Sequence, residues 1–152
     1  MNHEAWMGLA LKEAAAAAAL GEIPVGAVIV RDSLVIAAAG NRRETRRDPT
    51  AHAEILALRA AAGALGTWRL TGCVLYVTLE PCPMCAGAIV QARPDMVVFG
   101  AHDDRAGCCG SVYRITEDER LGLGTVPTHG GVLAKECAGI LTDFFANRRQ
   151  RI

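Results

Sequence analysis

Two short segments carry the residues best suited to chemistry. In PTAHAE, His52 stands two places before Glu54; in TLEPCPMCAGA, Cys82 and Cys85 stand three apart, with Pro81 and Pro83 on either side of the first. Residues three apart share a helix face, so at the start of a helix both sulfurs reach one ion. The electropositive end of a helix favours the thiolate that metal binding requires. Pro83 suits the first helical position, where its missing N–H costs nothing. His52 lies thirty residues upstream of Cys82, at the mouth of the preceding helix, and adds a nitrogen. One nitrogen and two sulfurs suit tetrahedral Zn2+. Three protein ligands leave the fourth position to water, which is the catalytic rather than the structural arrangement. Two thiolates cancel the charge of the ion and leave it a milder Lewis acid, so a base beside the water is useful, and Glu54 is the natural one.

Each of these residues has a plainer reading. A spare cysteine could close the set as a structural zinc site. Glu54 alone is a carboxylate satisfying a helix dipole. Residues two apart on an ideal helix face differently, so His52 and Glu54 can converge only at a helix mouth.

The elements that must position them follow from periodicity. Asn2 to Leu20 reads as a helix, with Trp6, Ala10, Ala14, Ala17 and Leu20 at three- and four-residue intervals. PVGAVIV and LVIAAAG form a hairpin across Arg31-Asp32-Ser33. After the polar loop NRRETRRDPT come a helix (AHAEILALRAAAGAL), a strand (CVLYVT), a helix (PMCAGAIVQAR) and a strand (DMVVFGA). An irregular stretch leads to a last strand in VPTHGGVL and a closing helix, AKECAGILTDFFANRRQ. The order α-β-β-α-β-α-β-β-α predicts right-handed crossovers and a sheet covered by helices on both faces. The two helix starts that carry the ligands should meet at one sheet edge.

Composition narrows the class. The 152 residues suit one domain spanning 1–152, and 16 basic residues balance 16 acidic ones, so net charge offers no argument for nucleic acid. No apolar run reaches the ~18 residues of a membrane span, and no signal peptide is legible. A cytoplasmic protein without a membrane partner is expected. The six cysteines are then reduced thiols rather than disulfides. Cys73 and Cys137 read as buried. Arg42, Arg43, Arg46 and Arg47 form either a solvated loop or a phosphate contact. Arg148, Arg149 and Arg151 read as a solvated helix end, and Phe144 and Phe145 as core or interface. Asn41, after a strand, is by composition a turn residue.

His-x-Glu with Pro-Cys-x-x-Cys is the signature of zinc-dependent nucleobase deaminases. The chain resembles the bacterial tRNA-specific adenosine deaminases over nearly its whole length. The likeness rests on EIPVGAVIV, Asn41, DPTAHAE, TLEPCPMCAGA, VVFGA with Asp103, and DFFANRR. It implies an α/β fold, the three-layer α/β/α cytidine-deaminase-like arrangement with a central five-stranded mixed sheet. It also implies one Zn2+ per chain on His52, Cys82 and Cys85, with Glu54 as proton shuttle. Asn41 would hydrogen-bond the target nucleotide, and Asp103 would lie beside the substrate strand. The reaction implied is hydrolysis of the wobble adenosine of a tRNA anticodon stem-loop to inosine and ammonia, by a homodimer. The chain departs from the family pattern at Cys108-Cys109, and RLGLGTVP lacks an Asn-His pair. The other readings are a deaminase of a free base such as guanine or cytosine, and a zinc-stabilised binding module without turnover.

Overall fold

The structure is a computed structural model that describes residues 2–150; Arg151, read above as part of a solvated helix end, lies outside them. Helix α1 (His3–Ala19) is capped by Asn2, whose side chain accepts from the Ala5 amide. Its buried stripe is Met7, Ala10, Ala14 and Ala17. The stripe expected from Trp6 to Leu20 is therefore turned at both ends: Trp6 is half-buried and Leu20 is 50% exposed, beyond the last helical turn. Small residues on this stripe let the helix lie close against the sheet. Gly26 is the limiting case, since a Cβ there would overlap the Ala10 carbonyl.

Strands β1 (Gly26–Arg31) and β2 (Leu34–Gly40) form the expected hairpin. Asp32 and Ser33 at the turn both have positive φ, 50° and 60°, as a two-residue type I′ turn requires. Strands β3 (Cys73–Leu79), β4 (Met96–Ala101) and β5 (Thr128–His129) complete a sheet of order β2-β1-β3-β4-β5. β1 runs antiparallel to both neighbours, while β3, β4 and β5 run parallel. The five-stranded mixed sheet expected from the resemblance is thus present.

Alternation sorts the two cores. Ala27, Ile29, Leu75, Val77, Val97 and Phe99 pack under α2 (Ala53–Leu65) and α3 (Pro83–Ala92). Val28, Val30, Tyr76 and Val98 face α1 and α4 (Ala134–Gln150) through Met7, Ala10 and Cys137. Cys73 and Cys137 are fully buried, as read from the sequence. Phe145 is 40% exposed and stacks edge-on against Phe144, so it is no core residue.

The last strand is much shorter than VPTHGGVL predicts, with only Thr128 and His129 in it. Gly130 lets the Phe99 ring lie against the backbone, where any Cβ would overlap it, and Gly131 takes φ +90°. The chain bends there, and the Gly131 and Val132 amides return to the Gly100 and Phe99 carbonyls. Among the described residues no helix is long and apolar enough to cross a membrane.

Candidate active site

Helices α2 and α3 lie on one face and begin beyond the carboxyl ends of β2 and β3, which are parallel because both oppose β1. Their starts therefore meet at one edge of the sheet, where open α/β folds form crevices. His52 is the N-cap of α2, with ψ 154°, and Cys82 is the N-cap of α3, with ψ 175°. Ser, Thr, Asp or Asn would fold its side chain back onto the helix amides at such positions. Neither His52 nor Cys82 makes a capping bond, and both side chains turn toward each other. Pro83 occupies the first turn of α3, and Cys85 follows inside it.

His52 Nδ1 lies 3.6 Å from Cys82 Sγ and 3.5 Å from Cys85 Sγ. Nitrogen and sulfur held tetrahedrally by one Zn2+ at ordinary bond lengths stand about 3.5 Å apart. The donor set fits that ion in both chemistry and spacing. Among the described residues these three form the one group of His, Cys and acidic side chains whose ligand atoms lie within 4.8 Å of one another. Among the described residues no further cysteine joins them to close the set as a four-ligand structural site.

The electrostatics divide the two thiols. A hydrogen bond with Cys85, then one with His52, holds Cys82 down to about 4, against the opposing effect of burial. The same contact with Cys82, reinforced by burial, pushes the Cys85 thiol up. Glu54 is 4% exposed, and burial pushes its carboxyl up to about 7, partly offset by its own backbone N–H. A carboxyl near neutrality takes up and releases a proton with little cost in either direction.

His52, Cys82 and Glu54 open onto a cavity of about 210 Å3 that is also lined by Asn41, Arg43 and Asp103. Asn41 is 8% exposed and locked in place: its Nδ2 donates to the Ile23 carbonyl and its Oδ1 accepts from the Arg43 amide. Asp103 reaches the rim, but its carboxylate accepts from the Arg105 and Ala106 amides and so shapes its own turn. Arg42, Arg43, Arg46 and Arg47 lie on the loop that follows Asn41, and none makes a salt bridge among the described residues.

Sequence reasoning missed two residues. Glu22 is fully buried and accepts from the Glu44 and Thr45 amides at 3.1 and 2.7 Å. Glu80 is 2% exposed and accepts from the Asp103, Cys109 and Ser111 amides and the Ser111 hydroxyl. The only signal was a carboxylate set in each of two apolar segments, GEIPV and TLEPC, quoted above for other residues.

His-x-Glu and Pro-Cys-x-x-Cys, opening two helices on one face of this mixed sheet, define a deaminase of the cytidine-deaminase-like fold. The pattern of the MafB19-like deaminase family matches residues 1–149. A tRNA-specific adenosine deaminase of Bacillus subtilis is 49% identical over 97% of this chain and 91% of its own length. A structure solved in work on A-to-I editing by tRNA:A34 deaminases at the wobble position superposes with a TM-score of 0.85 at 45% identity, covering 90% of this chain and 99% of that one. A guanine deaminase of Nitrosomonas europaea superposes with a TM-score of 0.81 at 31% identity, covering 94% of this chain and 84% of that one. The chain belongs to the tRNA-specific adenosine deaminase family.

Burial alone would raise the Glu22 carboxyl, but the Thr45 and Glu44 amides outweigh it and hold the group below its usual 4.5. Folding therefore favours the ionised form. The resulting stability is complete above the unfolded value and is lost as pH falls through the folded one. Glu22→Gln should cost stability at neutral pH, by about 1–3 kcal/mol. Urea titrations of both proteins from about pH 7 to about pH 3 should show the difference shrinking below the usual carboxylate value. A difference independent of pH would exclude this role.

Proposed function

We propose that this chain hydrolyses the wobble adenosine of a tRNA anticodon to inosine, with release of ammonia, as a cytoplasmic enzyme. The observation that carries the reading is the buried Glu54 carboxyl beside the His52–Cys82–Cys85 set, with Glu54, His52 and Cys82 lining one cavity. Bound there, Zn2+ would supply Lewis-acid activation of water. Glu54 passes one proton of the attacking water to the purine ring and the second to the departing amine, which leaves as ammonia. The net change at C6 exchanges the amino group for the oxygen of water. Asn41, held by Ile23 and Arg43, has a second amide hydrogen with which to orient the nucleotide. Asp103 acts by shaping the rim beside the RNA strand, and the neighbouring arginines hold flanking phosphates. A loop base is splayed out at little cost, which suits a cavity that accepts one base.

The metal and proton roles are tested together. The purified protein should contain one zinc per chain, and His52→Ala should lose it. Glu54→Ala should keep the zinc and the fold while kcat drops ~10²–10⁴-fold. Wild-type turnover in Glu54→Ala, or full zinc in His52→Ala, would show the assignment to be wrong.

The likeness to a guanine deaminase supports a second reading, in which a free base is the substrate. Ammonia release from an anticodon stem-loop, free adenosine, guanine and cytosine separates the two, and the stem-loop should be turned over far faster. RNA affinity should also fall with salt, by a logarithmic slope of ~0.7 for each phosphate neutralised. Arg43→Ala and Arg46→Ala should each flatten that slope. Efficient guanine turnover with an inert stem-loop would establish the second reading instead.

The chain is further proposed to work as a homodimer through the outer face of α2 and α3. There Ile55, Leu58, Trp68 and Ala88 line an apolar groove, and Trp68 is 58% exposed. Light scattering at micromolar concentration should return a dimer mass, and Trp68→Glu a monomer mass. A monomeric wild type would remove the proposal.

A further inference from the structure

We infer that Glu80 and Glu22 are positioning residues that hold the two walls of the cavity, so that recognition of the substrate depends on two buried carboxylates turned onto the backbone amides of those walls. This rests on the nucleotide-deaminase reading above. Glu80 leaves β3 with its amide bonded to the Ala101 carbonyl at the end of β4. Its Oε1 accepts from the Asp103 amide at 3.0 Å and from the Ser111 hydroxyl. Its Oε2 accepts from the Cys109 and Ser111 amides, each at 3.0 Å.

A carboxylate has about four acceptor sites, and four donors occupy them. Glu80 therefore lines the cavity without being free to bind or deprotonate anything in it. What it does is gather residues 103–111 around one buried point. The Cys108 amide bonds to the Pro81 carbonyl at 2.8 Å, so the loop and the turn presenting Cys82 form one unit. Gly107 completes the fit, because a Cβ there would overlap the Glu80 carboxyl carbon. Asp103 and Ala106 stand on the cavity wall that results.

Glu22 does the same on the other side. Its two oxygens take the Glu44 and Thr45 amides, fixing the loop that carries Arg43 from the locked Asn41. Both walls are irregular backbone, and neither has a ladder of its own. Without a buried acceptor their amides would be orphaned or hydrated, and the walls would have no single shape.

Glutamine is the sharp substitution, since it keeps the volume but turns an NH2 toward backbone N–H groups. Glu80→Gln should retain one zinc per chain. Amide exchange at Asp103, Cys109 and Ser111 should quicken ~10-fold or more beyond any change at the Leu75 and Val77 amides. KM should rise ~10-fold, with kcat changed much less, for whichever substrate the wild type turns over, stem-loop or free base. Glu22→Gln should quicken exchange at Glu44 and Thr45 instead and raise KM alike. Glu80→Asp, which keeps both oxygens, should recover part of both effects.

Unchanged loop exchange in Glu80→Gln would overturn the inference. So would faster loop exchange at unchanged KM, loop exchange quickened no more than that of the core, or loss of zinc. Should Glu80→Gln not fold, Ser111→Ala, which removes one donor and leaves the carboxylate, must show the same local pattern in smaller degree, and a wild-type pattern there overturns the inference. An inert stem-loop with the wild type refutes the RNA reading alone, because the exchange data and the KM on a free base still decide the role of the two glutamates.

Discussion

Everything at the site depends on two helix mouths meeting at one sheet edge. His52 and Cys82 touch at 3.6 Å although thirty residues separate them. They do so because β2 and β3 point the same way across β1, and α2 and α3 start beyond their ends on one face. The N-cap positions add a local cost. A capping side chain there is worth about 0.5–2 kcal/mol, and both helices forgo it. The extended backbone that normally aims a cap at the helix instead aims an imidazole and a thiolate at a shared point, where the helix dipole also favours the thiolate.

Small residues make this geometry attainable. The Ala10–Ala14–Ala17 stripe of α1 meets Gly26 and Gly40 at the starting edge of the hairpin, and any Cβ on either glycine would meet helix backbone. The far layer is thereby drawn close, and the sheet's other face is left for α2 and α3. Interiors pack too densely for such an approach to loosen without a cavity. Gly130 and Phe99 repeat the arrangement at the opposite edge, where they also end β5 after two residues.

Polar order around the cavity comes from buried acceptors rather than from charge pairs. The His102 ring nitrogen, 3.6 Å from Glu80, stands farther off than any of the amides bonded to that carboxylate. The arginines beside Asn41 remain unpaired among the described residues, so their charge stays available to a polyanion at the rim. Cys108 and Cys109 are adjacent and buried, and burial raises both thiols.

The candidate site was legible in the chain itself. His52, Glu54, Cys82 and Cys85 announce it by residue type and short-range spacing, and Pro83 announces the helix start, because each of these is a local property. The hairpin, the middle strands and the four helices follow from periodicity for the same reason. Other features needed the tertiary structure. Whether Thr128–His129 would extend depended on a phenyl ring from β4, and which face of the alanine-rich α1 would be buried depended on glycines in β1 and β2. Asp103 proved to be bound up in its own turn, and Glu22 and Glu80 are buried hubs only because loops far along the chain bring amides to them. A carboxylate's partners in space leave no period and no spacing in sequence; only the folded backbone determines which donors reach it.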